Sequence, residues 1–256
     1  MKKSVKAYAA LLMLAVLTAG IASAAGWKRK KNKDAITAST SWTAAFADIA
    51  GVDSVTAIAP ASMRHPPEYE ITVDDILTVN KSKVFIYAGF ERMMQTLGSS
   101  AGNSDTQMVQ ITCDNSIETV TAGAEKIAAV TGTQAKMKKR LAEYTDEIHA
   151  AAADLEKRGL KGARVLCNKN QTYLAKDLGL EIAAVFGPGQ VTAAQIADAK
   201  AGGYQFIIDN VHNPVGQPLA EVAPDAKYIV WRNFPEAVER GALLKVVRQN
   251  IALLTE

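Results

Sequence analysis

The sequence predicts an α/β protein made of two parallel-sheet α/β lobes bridged by a single long α-helix. Three features predict it. Short apolar runs alternate with amphipathic segments up to about residue 131. One unbroken amphipathic stretch of about 25 residues follows, and beyond it the alternation restarts. Alternating strands and helices imply a parallel sheet covered on both faces, and a long helix standing between two such alternations reads as their connector.

The elements follow in order. DAITASTS reads as a strand entering a helix that Ser41 caps; Trp42, Ala45, Phe46 and Ile49 line one face, and Gly51 ends it. DSVTAIAP is a second strand. Thr72 with Asp75 three residues on is a capping box opening a short helix. KVFIYAGF is a continuous apolar run, the pattern of a strand buried on both faces, and TQMVQITC is another strand. Asn115 and Glu118 open a helix with Ile117, Val120, Ala124, Ile127 and Val130 on one face.

From Gln134 to Arg158 the apolar residues Met137, Leu141, Tyr144, Ile148 and Leu155 recur at helical spacing with charges between them. That is one amphipathic helix about twice the average length. His149 lies off its apolar stripe and reads as a surface residue. ARVLCN, LEIAAVFG, YQFIIDN and KYIVW are strands of the second lobe, QTYLAKDLG and TAAQIADAKAGG its helices, and a terminal helix runs from about Pro235 to Leu254.

The first 24 residues stand apart. Lys2, Lys3 and Lys6, an apolar run from Ala9 to about Leu17, and Ala22-Ser23-Ala24 form the layout of a cleaved secretory signal peptide. The run is shorter than the roughly 20 residues a spanning helix needs, and no cysteine lies near the cleavage point to carry a lipid. A soluble periplasmic protein is expected, divided as signal peptide 1–24, N-terminal lobe 25–133, linker helix 134–159 and C-terminal lobe 160–256. Of the 29 lysines and arginines, three fall in the leader, which holds no acid, so 26 basic residues then face 26 acidic ones. That balance gives no electrostatic case for nucleic acid, and WKRKKNK after the leader reads as a solvated tail. The two cysteines, Cys113 and Cys167, match no disulfide framework. C-x-x-C, H-E-x-x-H and a phosphate-binding glycine loop are missing from the sequence, and no enzyme activity is expected.

The segment RHPPEYEIT, Arg64–Thr72, places one of only three histidines against two prolines. With WTAAFADIAGVDSVTAIAP, with HPPEYEITVDDILTVNKSKVFIYAGFE, with the long helix and with TYLAKDLGLEI, it resembles the metal-binding solute receptors of bacterial ABC importers for zinc and manganese. The resemblance covers essentially the whole mature chain. Pro66, Tyr69 and Glu70 match the family signature Asp-Pro-His-x-Tyr-Glu, and Gly89 matches the glycine ending its next buried strand. The resemblance implies a ligand held between the lobes and a membrane permease as partner, with the receptor acting as a monomer.

The family's ligand positions are only partly kept. Its first histidine corresponds to Pro67, its second to Gln110 and its third to Asn168, while Asp209 keeps the fourth, a carboxylate. His65, Cys113, Cys167 and His212 lie within three residues of these positions. Together with Asp209 they form a candidate relocated metal site, or else they are ordinary loop and packing residues. Thiolate and imidazole donors favour zinc or copper over manganese. The expected function is therefore capture of a transition metal ion, zinc first, as cargo in the interlobe cleft. The alternative is an organic ligand or a chelated metal on the same scaffold, with Arg64, Trp231 and Arg232 clamping an anionic group.

Overall fold

The computed structural model describes residues 35–100 and 105–256. The expected signal peptide and the basic segment after it lie outside the described residues. The first lobe is built from β1 (Ile36–Ala38), α1 (Ser41–Ile49), β2 (Thr56–Ala57), α2 (Val73–Lys81), β3 (Val84–Tyr87), α3 (Met93–Ser100), β4 (Gln107–Gln110) and α4 (Ile117–Thr131). The long helix α5 spans Gln134–Lys157. The second lobe holds β5 (Arg164–Asn168), α6 (Thr172–Asp177), β6 (Glu181–Phe186), α7 (Ala193–Ala201), β7 (Phe206–Asn210), α8 (Gln217–Val222), β8 (Lys227–Trp231) and α9 (Ala242–Thr255).

Each lobe carries a four-stranded sheet, ordered β2-β1-β3-β4 in the first and β6-β5-β7-β8 in the second, and every pairing is parallel. In both sheets the first strand lies inside, so the order reverses beside it. Ligands of open parallel sheets sit outside the carboxyl ends of the strands near that reversal.

Local sequence explains most boundaries. Thr72 and Asp75 cap α2 reciprocally, as expected. α1 is capped by Thr40 rather than Ser41: the Thr40 side chain accepts from Thr43 N–H, which frees the Ser41 hydroxyl to donate to Pro235 O at 2.6 Å. Ser116 takes the cap of α4, leaving Asn115 to accept from the Trp42 indole and donate to Asn233 O. Gly51, at φ 92°, ends the turn after α1, and a Cβ there would stand 2.7 Å from Lys136 Cβ. Only glycine lets α1 approach the start of α5 so closely.

The terminal helix starts at Ala242, seven residues later than its apolar pattern predicts. Residues 235–241 instead form an anchored strap, with Pro235 O held by Ser41 and the Gly241 N–H donating to Asp48 Oδ2 at 2.8 Å. α3 and α8 have no clear signal in the sequence. α3 is held by Met93 and Leu97, which are buried against Ile58, Val79 and Phe85.

One hydrophobic core runs through both lobes. Phe46, Ile127, Tyr144, Ile148, Leu155, Trp231 and Val247 belong to it and are essentially fully buried. Each such side chain contributes about 2–3 kcal/mol by leaving water. Because α5 supplies Met137, Tyr144, Ile148 and Leu155 to this shared core, it is packed along its length rather than free as a hinge. Polar bonds also cross between the lobes: Asn115 Nδ2–H donates to Asn233 O at 2.9 Å, and the Ile117 N–H donates to Asp177 Oδ2 at 2.6 Å. Among the described residues, no helix is long and apolar enough to cross a membrane.

Candidate functional site

A cavity of about 320 Å³ lies between the lobes. Loops following seven of the eight strands line it: Thr40 and Trp42 after β1, His65–Pro67 after β2, Phe90 after β3, Cys113 after β4, Asn170 and Tyr173 after β5, Asn210, His212 and Asn213 after β7, and Asn233 and Phe234 after β8. The carboxyl ends of both sheets therefore converge on one space. Aromatic rings and amide side chains make up most of its walls, and among the described residues no carboxylate, lysine or arginine lines it.

His212 is the most constrained polar group here. Its ring stacks on Phe234 with centroids 3.7 Å apart and planes 12° from parallel, and Phe234 in turn packs against Trp42 at 5.8 Å. Its Nδ1 faces the Arg64 carbonyl oxygen at 3.3 Å, across from the other lobe. Its Nε2 is buried and has no hydrogen-bond partner among the described residues. Burial, the Arg232 guanidinium and the nearby His65 hold the imidazole pKa down at about 4, against a smaller upward pull from the Arg64 carbonyl. The ring is thus neutral near pH 7. A neutral ring whose Nδ1–H donates to Arg64 O keeps a bare lone pair on Nε2. Asn233, also in the lining, has a second buried unpartnered acceptor in its Oδ1.

Three of the five expected donors meet at this cavity and two do not. His65, half-buried, precedes the short turn Pro66–Glu68 and lines the cavity with His212 and Cys113. Burial, with Glu91 and Asp114 nearby, pushes the Cys113 thiol well up. Cys167 is fully buried in β5, inside the core and outside the lining, and burial raises its thiol too. Asp209 is fully buried and already satisfied: Oδ1 accepts from Asn168 Nδ2 and the Asn210 N–H, and Oδ2 from the Gly216 N–H and Tyr228 hydroxyl. The five-donor arrangement therefore does not assemble. Among the described residues, no three His, Cys, Asp or Glu side chains are grouped to hold a metal.

The vacated family positions fare unevenly. Pro67 is in the lining. Asn168 is buried behind the cavity and orients Asp209. Gln110 is exposed and donates to Ala88 O at 3.2 Å. The expected anion clamp is dispersed. Trp231 is a fully buried core residue, Arg232 pairs with Glu236 at 2.7 Å, and Arg64 is exposed outside the lining.

Sequence reasoning missed Phe90, Asn170, Asn210, Asn213, Asn233 and Phe234. Each falls at or just past a strand's carboxyl end, and that position was the available signal. It also missed Glu91, which is buried and braces the β3 loop by accepting from Ser39 Oγ and from the N–H groups of Ala88 and Gly89.

No family model matches the chain, and no curated protein does. Solved structures do. The laminin-binding protein of Streptococcus agalactiae, a bifunctional protein with adhesin and metal-transporting activity, superposes with a TM-score of 0.66 at 16% identity, over 86% of this chain and 98% of its own. The chain has the fold of the bacterial metal-binding receptors. The manganese-bound periplasmic metal-binding protein of Candidatus Liberibacter asiaticus matches with a TM-score of 0.61 at 16% identity, over 87% of this chain and 98% of its own. The laminin-binding protein of Streptococcus pyogenes gives 0.62 at 14% identity, over 86% and 96%. At such identities the likeness is one of architecture, and the chemistry of the cleft must be argued from this chain's residues.

Proposed function

We propose that this protein is a periplasmic solute-binding receptor that captures a transition metal between its lobes and hands it to a membrane importer. The observation that carries the reading is His212, a neutral imidazole with one nitrogen against a backbone carbonyl and the other buried without a partner among the described residues. Metal-bound histidines have this arrangement, since a carbonyl bond at one nitrogen fixes the tautomer that leaves the other free to coordinate. An unpartnered buried acceptor otherwise carries an uncompensated desolvation cost of about 1–3 kcal/mol.

His65, in the same lining but from the first lobe, supplies a second imidazole. Cys113 lines the same cavity, but among the described residues it does not complete a three-donor group with the two imidazoles. The imidazole-led donor set favours zinc or copper over manganese, which prefers oxygen ligands. The fold of the manganese- and cadmium-bound Liberibacter protein supports a metal as cargo.

Calorimetric titration of reduced, metal-free protein with Zn²⁺ tests this reading. One site is expected, weakened at least tenfold (about 1.4 kcal/mol) by His212→Ala and by His65→Ala. Equal affinity in wild type and both variants, or no binding at all, would overturn it in favour of an organic ligand on the same scaffold.

A further inference from the structure

We infer that the metal enters this cleft as a complex with a small, planar, anionic heteroaromatic chelator, an inference that rests on the metal-receptor reading above. Three observations point there.

The first is space. A cavity of about 320 Å³ is of small-molecule size and far exceeds what one ion and two imidazoles occupy. The second is donor count and charge. Among the described residues, His65 and His212 are the imidazole donors of the lining, no carboxylate lines the cavity, and no group of three donor residues occurs. Arg64 and Arg232 lie close enough to act on His212 electrostatically. A bare dication would find only two imidazoles and no carboxylate among the described lining residues, whereas an anionic chelator supplies both the missing donors and the missing charge.

The third is the walls. Inside the cavity the His212 ring already stacks on Phe234, which packs at a tilt against Trp42. Phe90 from the first lobe and Tyr173 from the second also line it, yet they are 56% and 41% exposed. Two half-exposed rings, one on each side of a cleft, suit a flat guest sliding between them, and offset ring stacking rewards such a guest. The side-chain amides of Asn170, Asn210, Asn213 and Asn233 can meet its carboxylate and ring-edge groups.

Native mass spectrometry and calorimetry on the mature protein test the inference with four probes: Zn²⁺ alone, picolinate alone, zinc picolinate and zinc citrate. Zinc picolinate should bind at least tenfold more tightly than Zn²⁺ alone and than zinc citrate, which is anionic but not aromatic. Picolinate alone should bind weakly. Phe90→Ala and Tyr173→Ala, both at exposed positions that folding tolerates, should weaken zinc picolinate by up to about tenfold, and by more than they weaken Zn²⁺ alone. If Zn²⁺ alone or zinc citrate binds as tightly as zinc picolinate, the chelate inference fails and the metal receptor stands. If no zinc species binds, both fail.

Discussion

His212 carries two separate consequences of its surroundings. Burial and the Arg232 guanidinium make the charged ring costly, so its pKa falls from the ordinary 6.5 to about 4. In the unfolded chain the same ring takes up its proton near pH 6.5. Between those values the unfolded state binds more protons than the folded state, so stability declines as pH falls from about 6.5 to about 4, and this contribution is flat above 6.5. His212→Gln removes the linkage. The thermal midpoint of metal-free wild type minus that of the variant should therefore shrink from pH 7 to pH 4. A difference independent of pH would show that the ring is not desolvated as described.

Among the elements, the junction of α1, α5 and the strap before α9 does most to fix how the lobes sit. Arg140 of α5 donates to Asp48 Oδ1 and to the carbonyls of Asp48 and Val52, and pairs with Asp53, while the other Asp48 oxygen accepts the Gly241 N–H. Both side chains of the Arg140–Asp48 pair are nearly buried, at 10% and 13% exposure, so removing Asp48 leaves the Arg140 guanidinium only the exposed Asp53 carboxylate and the carbonyls of residues 48 and 52. Asp48→Ala should cost about 3 kcal/mol in denaturant unfolding, and adding Arg140→Met should recover part of that loss. Additive losses in the double variant would contradict the coupling. This junction also shows what the sequence conceals. The 3.6-residue period of α5 and the capping box of α2 are local signals and could be read directly. The late start of α9 depends on Asp48 and Ser41, roughly 190 residues away, reaching into residues 235–241, and no local pattern encodes that. The site divides in the same way. His65, Cys113 and His212 could be picked out by residue type, but Cys167 and Asp209 fail because burial and internal hydrogen bonds had already claimed them.

For the whole molecule, a core shared by both lobes and hydrogen bonds that cross between them oppose wide hinge bending. Scattering curves of the protein with and without bound metal should superpose, with the same radius of gyration; a compaction typical of hinge closure would contradict a stiff frame. Ligand entry would then depend on local movement of the loops that carry His65, Phe90 and Tyr173. The central claim is that this frame holds a transition metal through His65 and His212. Its most direct test is elemental analysis of protein exported to the periplasm and purified without a histidine tag or chelating resin. About one equivalent of zinc or copper should copurify with the wild type and be lost from the His65→Ala/His212→Ala variant, whereas metal-free wild type, or equal metal in both, would contradict the account.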